Sequence, residues 1–251
     1  MKKLLLKNLW QSVAAIAFLV GVWLVLYLAV GNSLLVPSFV ESVEEMGALF
    51  TKSAFWTGLF WSLLRTFCAF GVSFIFALIL AAIAHRYAWV AGCLLPVVSA
   101  LRSLPVLAVL LILLAFLGAG TAPIAVAFLS LFPTLYTAIL TALSGVQKQY
   151  LESARVQGAG AFRRAVAIYA PLCAPAILRE GGAACSFSLK LVVSAEILAN
   201  TAKSLGGMMQ EAKIYAEIPQ LFALVAVSFA VGLLLETGAE LLAKRAENRI
   251  K

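Results

Sequence analysis

The chain has 251 residues, of which 63% are hydrophobic and only 12% are charged. Since a water-soluble domain carries about 25% charged residues, this composition excludes a soluble protein and indicates an integral membrane protein with room for about six spans of roughly 20 residues. The formal net charge of +8 does not indicate nucleic-acid binding, because the basic residues fall in short segments between and beyond the apolar runs, as charges that set membrane topology do.

The N-terminal third predicts two membrane spans with an interfacial helix between them. The apolar run at 9–30 is too long for the core of a signal peptide, so we expect a retained first span. The more polar segment 31–52, with a Pro-Ser pair at 37–38, predicts a short amphipathic helix at the membrane interface. The second span is expected at about 54–84.

The middle of the chain predicts two further spans that are interrupted by helix breakers. Residues 89–105 are apolar but contain two prolines and an arginine, so we expect an interfacial helix and a turn. The third span then covers about 105–117, and a glycine-rich turn at 118–121 leads into the fourth, at about 122–143. Pro133 is expected to kink that fourth helix.

The C-terminal part predicts two more spans and two polar loops. A loop at 144–169 precedes the fifth span at about 172–198, and a loop at 199–219 precedes the sixth at about 220–242. With the N-terminus inside, the inner segments hold twelve lysines and arginines and the outer segments hold three. This asymmetry predicts a multi-pass protein with both termini in the cytoplasm.

The first of these polar loops is the most informative segment. Residues 146–157 favour a helix, Gly158 interrupts the pattern, and 162–168 resume it until Pro171 limits the run. The pattern therefore predicts a helix, a turn that glycine permits, and a second short helix on the cytoplasmic face.

The spacing of a glutamate, a glycine, an isoleucine and a proline in this loop resembles the EAA loop of type I import permeases of ATP-binding-cassette (ABC) transporters. That resemblance implies an all-α polytopic fold with about six transmembrane helices, in one permease domain over 1–251. It also implies that the loop at about 144–171 couples the permease to a separate ATPase.

The glutamate would orient the loop, the glycine would make the turn, the phenylalanine and two arginines would lie near the ATPase, and the isoleucine and proline would anchor the exit. The residues of this coupling loop are Glu152, Ser153, Ala154, Gly158, Phe162, Arg163, Arg164, Ile168 and Pro171. Ser153 stands where that family has alanine, and Ala170 where it has leucine.

Two further segments resemble one branch of that family, which imports nitrate, aliphatic sulfonates, taurine and some vitamin precursors. They are the run that begins Arg102-Ser103-Leu104-Pro105 and the run Val192-Val193-Ser194-Ala195-Glu196. The resemblance covers about 56–245 and implies a small anion or zwitterion, or a vitamin precursor, as substrate. Lys190 departs from the branch, where an apolar or tryptophan residue is expected.

The resemblance also implies partners and a location. In the bacterial cytoplasmic (inner) membrane the chain would pair with a second copy, engage two ABC ATPase subunits and receive substrate from an extracytoplasmic solute-binding protein. It has no Gly-x4-Gly-Lys-Ser/Thr sequence, so ATP and Mg are expected on the partner ATPase. The chain itself is expected to bind no cofactor or metal and not to be an enzyme.

Ionisable residues inside the apolar runs are candidates for the translocation path or gate. A bare charge at bilayer depth costs at least about 2.5–3.5 kcal/mol, so Arg65, Lys190 and Glu196 should face a protein interior or a watery cavity. The two cations would suit an anionic substrate, but a structural ion pair or a snorkelling lysine is the alternative. Asn200 begins a small polar outer loop that is either near the external gate or a solvated turn.

Two other classes of function are weaker alternatives. An ion-coupled secondary transporter or channel would need intramembrane acids or a symmetric repeat, and only Glu196 is available. A membrane enzyme would need a constellation such as His/Asp or Ser/Lys. His85 is the single histidine and has no acidic or cysteine companion, so we expect a packing or headgroup-level role. The four cysteines are expected to be small buried apolar residues.

Overall fold

The computed structural model describes residues 18, 20–32, 35–147, 149–150, 152 and 160–248, without the side chains of 161 and 246–248. All regular secondary structure in those ranges is helical, which confirms the all-α prediction there. The helices are α1 (Val20–Val30), α2 (Phe39–Thr51), α3 (Ser53–Arg86), α4 (Ala88–Ser103), α5 (Val106–Ser144), α6 (Ala161–Arg164), α7 (Ala170–Ala199), α8 (Leu205–Ile214) and α9 (Ile218–Asn248), with a π-helical segment (Ala165–Tyr169) between α6 and α7.

Four stretches of the described chain are long and apolar enough to cross a membrane. They are α3, α5, Phe162–Ala199 and Ile218–Arg245. These stretches contain the predicted second to sixth spans, because α5 covers both the third and the fourth. Of the predicted first span, at 9–30, the structure describes residues 18 and 20–30, and 20–30 form the short apolar helix α1. The count of six spans therefore stays a prediction.

Helix α2 forms where the amphipathic pattern predicts it, immediately after Ser38. The Ser38 hydroxyl accepts a hydrogen bond from the Glu41 N–H at 3.1 Å, and a carboxylate oxygen of Glu41 accepts one from the Ser38 N–H at 3.0 Å. This reciprocal pair is a capping box, which satisfies two backbone donors at the start of the helix. Leu49 is fully buried and joins α2 to the core.

Helix α3 packs through a stripe of small residues. Apart from Phe55, its buried positions are Gly58, Ser62, Thr66, Ala69, Ser73, Ala77, Ala81 and Ala84. The spacing of three and four residues places them on one face. Small side chains let neighbouring helix backbones approach closely, which is how helices associate where lipid removes the hydrophobic driving force.

The break between the predicted third and fourth spans occurs at Gly118. Its backbone has φ 72° and ψ 171°, the one set of dihedral angles inside α5 that leaves the helical region. A residue without Cβ reaches a positive φ without strain, so the turn expected at 118–121 is confirmed in place but shortened to a single residue. Pro133, where we expected a kink, keeps helical dihedral angles.

The predicted short helix before Pro171 does not end there, which corrects the sequence expectation. The Ala170 N–H donates to the Ala165 carbonyl, five residues back, and the helix continues through Pro171 into α7. A proline ring collides with the carbonyl four residues before it in a regular helix. The wider π turn moves the backbone of that turn aside, so the chain is helical without interruption from Ala161 to Ala199.

The second polar loop is also different from the prediction, because it contains α8. Leu205, Gly206, Met209 and Ala212 of this helix are buried against the membrane-spanning helices. The loop therefore returns into the protein rather than lying in solvent. The cysteine prediction is half right, since Cys173 and Cys185 are buried whereas Cys68 and Cys93 are exposed.

Helix α7 is the central element of the fold. In its most apolar window 56% of the residues are buried, against 22–28% in the other three spanning stretches. It packs against α3, α5, α8 and α9. A polar group on its inward faces must therefore find partners within the protein.

Candidate functional site

A buried carboxylate near the C-terminal end of α7 organises the polar interior. Glu196 is fully buried, and its carboxylate accepts three hydrogen bonds. The Ser62 hydroxyl donates to Oε2 at 2.6 Å, Arg65 Nη1 donates to Oε1 at 2.9 Å, and the Gly206 N–H donates to Oε2 at 3.3 Å. A buried charge is tolerated only when it is paired and hydrogen-bonded, and these donors meet that requirement.

The donors to Glu196 extend the network to two other elements. Arg65 Nε donates to the Gly120 carbonyl at 3.2 Å, just after the break at Gly118. The Ser62 hydroxyl also accepts from the Leu205 N–H at 2.9 Å, at the start of α8. The side chains of Ser62, Arg65 and Glu196, which we name the Glu196 cluster, thus tie together α3, α5, α7 and α8.

The loop between α7 and α8 is fixed by further hydrogen bonds. Thr201 Oγ1 donates to the Ala119 carbonyl at 2.8 Å, and the Ser204 hydroxyl donates to the Thr201 carbonyl at 2.7 Å. The Gly207 N–H donates to the Ser204 hydroxyl at 2.8 Å and completes the N-cap of α8. Thr201 and Ser204 are buried whereas Asn200, Ala202 and Lys203 are exposed, so the loop is anchored in the packed structure and has one exposed side.

Asn200 and Gly206 shape the loop in different ways. Asn200 is exposed and ends α7 in a left-handed conformation, with φ 47°. It borders an open cleft of about 370 Å³ that Lys203, Glu211 and Tyr215 also line. A Cβ at Gly206 would collide with the Glu196 side chain and lie 2.6 Å from the Val193 carbonyl, so only glycine lets α8 approach α7 this closely.

Lys190 lies on the exposed face of α7. Phe187, Lys190, Ser194 and Leu198 recur at helical spacing and are all exposed, whereas most residues of the segment 181–198 are buried. Lys190 makes no hydrogen bond or ion pair with any described residue, and it precedes the end of α7 by nine positions. At 1.5 Å per residue that is about 14 Å along the helix.

The structure therefore separates the residues predicted for the path or gate. It joins Arg65 to Glu196, places Asn200 at the end of the same helix, and leaves Lys190 on a different face. The structural ion pair that sequence reasoning kept as an alternative is the observed arrangement for Arg65. Sequence reasoning missed Ser62, and it placed Gly206 in the small polar outer loop without foreseeing its contact with Glu196. The one available signal for Ser62 was its position three residues before Arg65.

The coupling loop is described only in part. Ser153, Ala154 and Gly158 lie outside the described residues. Phe162 is 82% exposed. Of the other predicted residues, Glu152 and Arg163 are exposed, and Arg164, Ile168 and Pro171 are half-buried. Two of the exposed members, Phe162 and Arg163, are of the residue types that are enriched at protein interfaces.

A contact between His85 and Tyr169 lies outside the Glu196 cluster. His85 Nε2 and the Tyr169 hydroxyl are 3.0 Å apart, which joins the last turn of α3 to the π-helical segment. Among the described residues, no group of three or more histidine, cysteine, aspartate or glutamate side chains could hold a metal ion.

Comparison with known proteins gives three consistent matches. The family model described as binding-protein-dependent transport system inner membrane component matches residues 73–250. The chain is 26% identical over 241 residues to the taurine transport system permease protein TauC of Escherichia coli (strain K12), which covers 93% of this chain and 87% of that protein. Its fold resembles a chain in the crystal structure of an amino acid ABC transporter with histidines, with a TM-score of 0.65, 18% identity, and coverage of 83% of this chain and 98% of that one.

Proposed function

We propose that this chain forms the substrate pathway of an ATP-driven importer as a homodimer. It belongs to the family of binding-protein-dependent transport system inner membrane components, and it is an ABC importer permease subunit. Two separate ATPase subunits bind its cytoplasmic loop, and an extracytoplasmic solute-binding protein delivers the substrate. ATP and Mg bind to those ATPases, and this chain has no ATPase site of its own. It resides in the bacterial cytoplasmic membrane with both termini in the cytoplasm.

The single observation that carries this proposal is the continuous helical rod from Ala161 to Ala199. One end of the rod presents the exposed Phe162 and Arg163, and the other end carries Glu196. The 32 positions between Arg164 and Glu196 correspond to about 48 Å, which exceeds the thickness of a bilayer core of roughly 30 Å. An ATPase bound at the exposed end would therefore be joined by continuous helix to the Glu196 cluster on the other side of the membrane.

The Glu196 cluster acts as a brace at the outer gate and does not bind substrate. Glu196 is fully buried, and its charge is compensated by Arg65. A substrate could not reach the carboxylate without breaking the contacts that join the four helices. Rearrangement of this cluster is suited to opening and closing the path beside Asn200, since packed interfaces switch between discrete arrangements.

The substrate is a small anion or zwitterion, such as nitrate, a sulfonate or taurine, with a vitamin precursor as the remaining possibility. Lys190 supports an anion. Its exposed position along α7 would cost at least about 2.5 kcal/mol in lipid, so the face that carries it lines a polar path between two copies. An ammonium group in such a path favours an anionic group. The name of the taurine transport relative points to the same chemistry.

Reconstitution tests the proposed function directly. The purified chain, co-expressed with its ATPase and solute-binding protein, is expected to retain the ATPase and to accumulate labelled taurine or nitrate in proteoliposomes only when ATP is supplied. Gly158→Val should leave ATP hydrolysis intact and lower uptake, because a β-branched residue would resist the turn that the sequence predicts at this position. Undiminished uptake in vesicles that lack the ATPase would refute the proposal and favour an ion-coupled transporter or channel.

A further inference from the structure

The contact between His85 and Tyr169 joins the last turn of α3 to the π-helical segment, which forms the C-terminal part of the coupling loop. His85 Nε2 lies 3.0 Å from the Tyr169 hydroxyl, and the two rings meet edge to face with centroids 5.4 Å apart and planes at 77°. Both side chains are half-buried. A hydrogen bond combined with an aromatic contact fixes both the distance and the relative orientation of the two side chains.

This hydrogen bond does not depend on the charge of the histidine. A hydroxyl can donate to an unprotonated Nε2 and can accept from a protonated one. The contact can therefore form whichever group supplies the proton. The Tyr169 hydroxyl is the part of the link that can be removed without changing the rings.

The rod from Ala161 to Ala199 is weakest where Tyr169 lies. The π-helical segment Ala165–Tyr169 interrupts the regular hydrogen-bond ladder, and Pro171 and Pro175 each lack a backbone donor. Helices bend at such places. A push on α6 would therefore bend the rod at the π-helical segment, unless a contact with a neighbouring helix transmits the displacement to that helix.

Helix α3 is the element that receives such a contact, and three contacts join it to the rod, one at His85 and two at the neighbouring residues Arg65 and Thr66. Tyr169 meets His85 at one end, the Ser188 hydroxyl donates to the Thr66 carbonyl at 3.2 Å further along, and Glu196 pairs with Arg65 beyond that. The 20 positions from Arg65 to His85 correspond to about 30 Å of α3. Helix α3 and the rod thus form a frame that is closed by the contacts at His85 and at Arg65.

We propose that His85 and Tyr169 form a strut that carries the movement of the coupling segment (α6) directly to α3, so that α3 and α7 move as one body. They are positioning residues, since they touch neither substrate nor nucleotide. This inference rests on the proposed function, because the movement comes from the ATPase. It assigns the single histidine of the chain a role in force transfer.

The native cysteines offer a direct measurement of that transfer. Cys68 is exposed on α3, three residues after Arg65, and Cys93 is the other exposed cysteine. In a Cys93→Ser background, a bimane fluorophore on Cys68 reports movement of α3 in the purified complex with its ATPase. MgATP with orthovanadate, which closes the ATPase pair, is added to provoke the movement, and no transported substrate is needed.

The expected result is a loss of movement without loss of assembly. Tyr169→Phe and His85→Phe should each lower the equilibrium constant for the movement, determined from the fluorescence change, about fivefold, which is the effect of losing one hydrogen bond. The double variant should fall no further, since both single changes break the same bond. His85→Gln keeps a hydrogen-bonding group and should restore part of the signal. Tyr87→Phe, which keeps its ring beside Arg86, is the matched control and should leave the signal unchanged.

The outcomes separate the strut from the proposed function. Full fluorescence change in both Tyr169→Phe and His85→Phe complexes that retain the ATPase would overturn the strut alone. A lower melting temperature of these variants with an unchanged fluorescence response would also overturn it, because that is the signature of simple packing. Failure of the wild-type chain to retain any ATPase would overturn the proposed function, and the strut with it.

Discussion

The carboxylate of Glu196 and the guanidinium of Arg65 meet at 2.9 Å although 131 positions separate them in the chain. The Arg65 side chain is 12% exposed and that of Glu196 is fully buried. Separately, each would be an uncompensated charge inside a membrane protein. Together they form a neutral unit that holds α3 against α7 and, through the Gly120 carbonyl and the Gly206 N–H, holds α5 and α8 as well.

Replacement of Glu196 by alanine should strongly destabilise the protein. Removal of one partner from a buried pair leaves the other charge uncompensated, which costs about 3–5 kcal/mol. Thermal unfolding in detergent measures the loss, and Glu180→Ala, an exposed glutamate on the same helix, is the matched control. An equal melting temperature for Glu196→Ala and Glu180→Ala would contradict the role of the Glu196 cluster.

Replacement of Gly206 by alanine should destabilise the junction of α7 and α8. The new Cβ would collide with Glu196 and approach the Val193 carbonyl to 2.6 Å. Overpacking of this kind costs about 1–3 kcal/mol. Gly71→Ala is the control, because a Cβ at Gly71 meets no atom within 4 Å and alanine in a helix is favoured over glycine by roughly 0.5–1 kcal/mol. Opposite shifts in melting temperature are expected, and a stabilised Gly206→Ala variant would show that the junction is not tight.

Replacement of Phe162 by alanine should weaken the association with the ATPase. Phe162 is 82% exposed at the start of the rod, and Phe116, also 82% exposed, lies on the apolar helix α5. Loss of a large aromatic anchor at an interface costs at least about 2 kcal/mol, or roughly thirtyfold in affinity. Co-purification at graded ATPase concentrations measures it. Phe116→Ala should bind the ATPase normally, and equal affinity for the two variants would remove Phe162 from the interface.

Replacement of Lys190 by methionine should weaken transport of anions specifically. A hydrogen bond to a charged group contributes about 1.5–3 kcal/mol, so the KM for nitrate or taurine uptake should rise at least about tenfold. Lys190→Arg keeps the charge and should retain most of the uptake. Lys244→Ala, which changes an exposed lysine near the C-terminus, is the control. An unaltered KM for both anions in Lys190→Met would show that this face of α7 does not contact the substrate.

Residue patterns were sufficient to predict those elements whose structure depends on the composition of a single segment. Low charge content and long apolar runs predicted the spanning helices, and the Pro-Ser pair at 37–38 located the start of α2. The break at Gly118 was predictable because a glycine between two apolar runs marks a turn. The helix α8 was not predictable, since its small and polar residues are typical of a loop and it is stabilised by contacts with α7 and α3.

The sequence by itself determined the class of protein, because the hydrophobicity of each segment and the charges beside it decide its insertion and orientation in a bilayer. It also carried the loop spacing by which the chain resembles import permeases. Only the tertiary structure decided that Arg65 is neutralised by Glu196, that Lys190 is left on an exposed face, and that Tyr169 reaches His85. The two contacts join residues that are 131 and 84 positions apart in the chain. Residues so far apart become neighbours only when the helices pack.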